Sequence, residues 1–184
     1  MGCMCYNPTS FEGKMDKKNV VIIGMMGVGK SKVSKRLAQI LKKRMVSTDE
    51  IIEKKEGKKI ADIFKNQGEP YFRKLERDVI KEISQEKSVI IDCGGGIVLH
   101  QDNIDDLKKN GVLINLTASS DMICERIKHK THRPLLNDAN PRDKIKELMH
   151  TREALYAQAD YKINTDHKTI DQVCQEVISL LSHE

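Results

Sequence analysis

The 184-residue chain has no tryptophan, four tyrosines and three phenylalanines, so it offers few flat faces on which nucleic-acid bases would stack. Its formal charge of +5 comes from lysines spread through segments of helical pattern, not from one basic block interleaved with aromatics, and no nucleic-acid partner is expected. No apolar run approaches the roughly 18 residues that a membrane span needs, and the chain is read as soluble and cytoplasmic. Cysteine is sparse and odd in number. Cys3, Cys5, Cys93, Cys124 and Cys174 show neither C-x-x-C spacing nor nearby paired histidines, which excludes the common zinc patterns and favours reduced thiols. The leader Met1-Gly2-Cys3-Met4-Cys5 has the glycine and cysteines of an acylated terminus. Tyr6, however, stands where Ser or Thr is wanted, so no membrane partner is expected.

What is present organises into one domain. The length suits a single buried core and is short for two. Residues 1–14 read as a flexible extension and 15–184 as the folded domain. Val20 to Ile23 form a β-branched run of the kind buried on both faces of a parallel sheet. Val33, Leu37, Ile40 and Leu41 then recur at helical spacing, and a β-type segment near Arg44 to Thr48 follows. Residues of about 50–85 are helical in pattern and are punctuated by Gly57 and Gly68. Further strand signals lie at Ser88 to Asp92, Val112 to Leu116 and Tyr161 to Ile163. Helical patterns cover Met122 to Ile127, Asp143 to Ala159 and the stretch from Ile170 to Leu181. Residues of about 128–143, polar, basic and broken by Pro134 and Pro141, read as a mobile lid. Strands alternating with helices predict an α/β fold, a three-layer doubly wound parallel sheet.

Between the first strand and first helix lies Gly24-Met25-Met26-Gly27-Val28-Gly29-Lys30-Ser31, which satisfies G-x-x-x-x-G-K-[ST]. Glycines let the backbone curl so that successive N–H groups face phosphate oxygens, and the helix that follows adds the positive end of its dipole. In this pattern Gly27, Val28, Gly29, Lys30, Ser31 and Lys32 bind ATP, with Lys30 on the β and γ phosphates and the Ser31 hydroxyl on Mg²⁺. The chain has no N-K-x-D guanine-specificity stretch and no insert suited to a motor, so a small-molecule kinase fits its length best.

From Met15 onward the order of motifs resembles that of the shikimate kinases. The matching pieces are the phosphate loop, Ser47-Thr48-Asp49-Glu50-Ile51-Ile52-Glu53, and Gly68-Glu69-Pro70-Tyr71-Phe72-Arg73-Lys74-Leu75-Glu76. They continue with Gly94-Gly95-Gly96, Arg133-Pro134-Leu135-Leu136, and Arg152-Glu153-Ala154-Leu155-Tyr156. The resemblance implies a P-loop fold like that of nucleoside monophosphate kinases and transfer of the ATP γ-phosphoryl group to the 3-hydroxyl of shikimate; a small kinase with a closing lid is expected to work as a monomer. By position, Arg73 and Arg152 would clamp the acceptor carboxylate, for which the planar guanidinium fork is suited, and Glu76 one turn on would steady Arg73. Asp49 would lie by the reacting hydroxyl as proton acceptor or orienting group, or alternatively cap a helix. Gly94, Gly95 and Gly96 would approach the acceptor ring. Arg133 would close over the phosphates from the lid, and Arg126 would stack on adenine.

One position departs from that family. Shikimate kinases usually carry Asp-x-Asp where this chain has Ser47-Thr48-Asp49, so a carboxylate that helps hold the Mg²⁺ water shell is missing. Asp92, ending the apolar run Val89-Ile90-Ile91, is its expected replacement, beside the plainer expectation of an Asp that caps the turn before Gly94. Two other functions stay open from sequence: a kinase for another hydroxylated acid such as gluconate, and a nucleotide-binding regulatory domain with little activity.

Overall fold

The computed structural model describes residues 18–128 and 141–182. Five strands form one parallel sheet: β1 (Asn19–Gly24), β2 (Arg44–Ser47), β3 (Val89–Asp92), β4 (Gly111–Thr117) and β5 (Tyr161–Asn164), in the order β2-β3-β1-β4-β5. β1 is central, and Val20 to Ile23 are completely buried. A four-residue run with no polar member can be buried throughout only if both faces of the sheet are covered.

The covering helices are α1 (Lys30–Leu41), α2 (Thr48–Glu56), α3 (Ile60–Ile83), α4 (Gln101–Asn110), α5 (Ser120–Ile127), α6 (Pro141–Tyr156) and α7 (Ile170–Leu181). No helix among the described residues is long and apolar enough to cross a membrane. Gly57 caps the C-terminus of α2 at φ 63°, where a glycine pays no Cβ penalty. α3 breaks at Gly68, at φ 80° and ψ 172°, and restarts with Pro70 in the new first turn, where a missing N–H costs nothing. The three helical pieces expected between residues 50 and 85 are therefore present. The restart aims one face of α3, with Phe72, Glu76, Val79, Ile80 and Ile83 buried, at the molecule's interior.

Two differences from the sequence reading have simple causes. α4 is not foreseen by pattern, because Ile104 and Leu107 are its only buried apolar residues and give too weak a periodicity. Residues 141–143, expected in the lid, form the start of α6. Residues 129–140 of the expected lid, the expected extension, 1–14, and residues 15–17 lie outside the described residues, as does Arg133.

Candidate active site

The phosphate loop joins β1 to α1. Gly24 has φ 142°, and a Cβ there would lie 2.3 Å from the Leu116 carbonyl oxygen, so no side chain fits at the strand end. Gly29 is the N-cap of α1 at φ 104°, supplies no side-chain acceptor, and leaves a first turn without acidic residues. The N-terminal amides are thereby left for an external anion. Lys30 Nζ donates to the Met25 carbonyl oxygen at 3.1 Å, folded back along the loop.

Gly27, Val28, Gly29, Lys30, Ser31, Lys32 and Arg126 line one cleft of about 470 Å³, together with Thr165, Lys168 and Thr169 of the β5–α7 connection and Ile170 at the start of α7. That connection escaped the sequence reading, since nothing in Thr165 to Thr169 marks it as part of a site. The guanidinium of Arg126 is anchored by three hydrogen bonds. It donates to the Val28 carbonyl oxygen at 3.2 Å and to Thr165 Oγ1 and the Thr165 carbonyl oxygen at 2.9 Å each. Arg126 thus ties the phosphate loop to the opposite wall of the cleft.

The second group of candidates surrounds the turn after β3. A Cβ on Gly94 would meet Asp49 Oδ1 at 2.8 Å and Glu76 Oε1 at 3.1 Å, and one on Gly96 would meet Arg73 Nη1 at 2.1 Å. Only glycine admits both groups so near the backbone. Arg73 Nη1 donates to Glu76 Oε2 at 2.8 Å, as the i, i+3 spacing predicts, and Arg73 Nη2 donates to Glu69 Oε1 at 2.8 Å. The Glu76 side chain is 1% exposed. Burial pushes its carboxyl above the usual carboxylate value, with the Arg73 charge pulling the other way. Arg152 reaches the same turn from α6, its Nη1 lying 3.4 Å from the Gly95 carbonyl oxygen.

The structure separates Asp49 from the capping role. Ser47 caps α2, accepting from the Glu50 N–H at 3.4 Å, and Asp49 stands exposed in the first turn. Thr48, between them, is fully buried and accepts from the Gly94 N–H at 2.9 Å, fastening the glycine turn to the start of α2. Its hydroxyl was missed because its function depends on a partner 46 residues away.

Asp92 ends β3 at 6% exposure, and its register partner on β2 is Ser47. The Ser31 hydroxyl hydrogen-bonds its carboxylate and the Lys30 charge lies near it, yet burial dominates and holds the carboxyl above the usual range. Oδ1 is buried with no hydrogen-bond partner. A partnerless carboxylate oxygen joined to the loop serine is an all-oxygen donor set of the sort Mg²⁺ accepts, so the residues present fit that ion. The turn-capping expectation for Asp92 has less support, because the side-chain oxygen that receives the Gly94 N–H is that of Thr48.

The two groups share a wall. A Cβ on Gly95 would lie 3.5 Å from the Met26 nitrogen and 3.6 Å from the Gly24 carbonyl oxygen, so the glycine turn packs directly on the phosphate loop. An anion cradle laid against a turn flanked by two guanidinium groups, on a parallel sheet of this order, defines a P-loop kinase that acts on a small molecule. Comparison with known proteins narrows the class. The shikimate kinase family model matches residues 26–182. A shikimate kinase from Thermodesulfovibrio yellowstonii is 45% identical over 161 residues, which are 88% of this chain and 93% of that protein. One from Pelotomaculum thermopropionicum is 42% identical over 164 residues, covering 89% and 95%. The solved structure of shikimate kinase from Acinetobacter baumannii in complex with shikimate superposes with a TM-score of 0.87 at 30% identity, covering 92% of this chain and 95% of that one. The chain belongs to the shikimate kinase family.

Proposed function

We propose that the protein transfers the γ-phosphoryl group of ATP to the 3-hydroxyl of shikimate, giving shikimate 3-phosphate and ADP. The observation that carries this reading is the shared wall: the turn Gly94-Gly95-Gly96 touches the phosphate loop on one side and Asp49, Glu76 and Arg73 on the other. A donor phosphate held by the loop and an acceptor held by the turn are neighbours without any rearrangement of the sheet, which is the positioning that phosphoryl transfer needs.

Each residue then has a task. The amides of Gly27 to Lys32 cradle the phosphates, and Lys30 leaves the Met25 carbonyl to meet the β and γ oxygens. Arg126, already anchored, presents its plane to the adenine. Arg73 and Arg152 take the acceptor carboxylate bidentately, which orients the ring across the glycine turn. Asp49 accepts or orients the proton of the attacking hydroxyl. Because the transition state is loose, its contribution is chiefly directional. Arg133 adds positive charge to the transferring group from the lid. Ser31 and Asp92 would hold Mg²⁺ through oxygen and its water shell, and the ion would neutralise charge developing on the phosphate oxygens. The same reading makes the protein a cytoplasmic monomer with no nucleic-acid or membrane partner.

A coupled assay of ADP release with Mg-ATP tests the acceptor, comparing shikimate, gluconate and no acceptor. Turnover with shikimate alone is expected. Turnover with gluconate, or none despite measurable ATP binding, overturns the reading in favour of another hydroxy acid or of a regulatory nucleotide-binding domain. Asp49→Asn should lower kcat by about 10²-fold or more while leaving the KM for ATP near its original value; an unchanged kcat would remove Asp49 from the reacting hydroxyl. For Asp92, calorimetric titration with ADP gives a readout apart from turnover. Mg²⁺ should tighten ADP binding to the parent chain, and in Asp92→Asn that gain should shrink by about fivefold, as expected when a charged metal-shell partner is removed. An undiminished gain would rule out the metal role.

A further inference from the structure

The motif Arg152-Glu153-Ala154-Leu155-Tyr156 contributes a second side chain to the glycine turn. Tyr156 lies one helical turn after Arg152 on α6, so both point to the same side. It is 5% exposed. Its hydroxyl donates to the Gly95 carbonyl oxygen at 2.6 Å, the carbonyl that Arg152 Nη1 approaches at 3.4 Å. The Arg152 charge lies beside the phenol. The phenol's one proton goes to Gly95, so phenol and guanidinium converge on a single backbone carbonyl oxygen. Burial pushes the phenol up to about 12, so it remains a donor at neutral pH.

The geometry has two effects. Pinning the Gly95 carbonyl toward α6 fixes the plane of the Gly95–Gly96 peptide, and because that peptide is trans, it also fixes the side to which the Gly96 N–H points. Sharing that carbonyl with the buried phenol restricts the rotation of Arg152, a long side chain that otherwise loses entropy when it binds a carboxylate.

We propose that Tyr156 is a positioning residue for the acceptor, holding the glycine turn and the Arg152 fork in the one arrangement that receives a carboxylated ring. This rests on the proposed function, in which Arg152 binds the acceptor carboxylate. Tyr156 does not line the cleft formed by Gly27 to Lys32 and Arg126, and its hydroxyl bonds the glycine turn, so its effect belongs to acceptor affinity and not to the transfer step.

Tyr156→Phe tests this, because it removes the hydroxyl and keeps the ring that packs behind it. The expected result is a shikimate KM raised about tenfold, with kcat within about twofold and the calorimetric affinity for ADP unchanged. Placed on an Arg152→Ala background, the same substitution should change kcat/KM for shikimate by less than about twofold, since the fork it steadies is gone. A purely structural role would instead impair ADP binding and kcat along with KM, and would persist in the Arg152→Ala background. That pattern, or an unchanged shikimate KM in Tyr156→Phe, overturns the proposal. A parent chain that neither binds nor phosphorylates shikimate would overturn the underlying reading and this inference with it. An active parent with an unaffected Tyr156→Phe variant overturns the inference alone.

Discussion

Replacing Lys30 by Met should lower kcat by about 10³-fold, the scale on which a single preorganised charge at developing anionic oxygens acts, while the folded chain stays almost as stable as before. The two halves of that expectation have separate causes. Lys30 is only half-buried, and it donates to the Met25 carbonyl oxygen through a hydrogen bond of 3.1 Å. Little folding free energy depends on that bond. In the loaded site, however, the ammonium is the fixed positive charge carried by the loop itself, with Gly29 and the α1 amides supplying only partial charges. Steady-state kinetics beside thermal unfolding will separate the two. A loss of kcat matched by a loss of stability would mean that the lysine holds the loop together, and an intact kcat would move the phosphate-binding role elsewhere.

Arg73→Ala should do the opposite, damaging the fold and the acceptor site together. Glu76 is 1% exposed at its side chain, and Arg73 is the cation bonded to it. Removing one partner of a buried pair leaves an uncompensated charge and costs about 3–5 kcal/mol. The pH dependence gives the sign. Burial already holds the Glu76 carboxyl above its ordinary value, and without Arg73 it rises further. Between the unfolded and folded values the native state binds more protons than the unfolded chain, so this group's penalty is fully present above the folded value and fades as pH falls through it. The stability deficit of Arg73→Ala should therefore be larger at about pH 8 than at about pH 5.5 by chemical denaturation. Adding Glu76→Gln should recover most of the stability, because a neutral amide is cheaper to bury than a charge. It should not recover kcat/KM for shikimate, expected to stay down by about 10²-fold or more for want of the bidentate fork. If the double variant regained both, Arg73 would be a structural counter-ion and not a carboxylate ligand.

The two sites were not equally legible in sequence. The phosphate loop could be read whole, because its function resides in consecutive residues and needs only a strand before and a helix after. The strands were legible for a similar reason, being unbroken β-branched runs. Arg73, Arg152 and the three glycines carried no signal of their own that separates them from surface arginines and an ordinary turn, and their assignment came through resemblance. Three hydroxyls stayed hidden altogether. Thr48, Thr165 and Tyr156 act on carbonyls or amides far away in the chain, and neither periodicity nor spacing encodes such a partner. Ser47 shows the same limit from another side. From sequence it is a missing carboxylate, whereas in the structure it caps α2 and stands beside Asp92 across the sheet.

That pairing bears on how much charge the end of the sheet can hold. Neighbouring strands lie about 4.8 Å apart, so an acid on either strand can face the same space, and the rung joining residues 47 and 92 accommodates one acid more readily than two. An aspartate placed at position 47 while Asp92 stays would set two like charges side by side, whereas Ser47 keeps the helix cap and adds no charge. Grafting aspartate onto position 47 of this chain would load that rung with two acids unless Asp92 were exchanged at the same time.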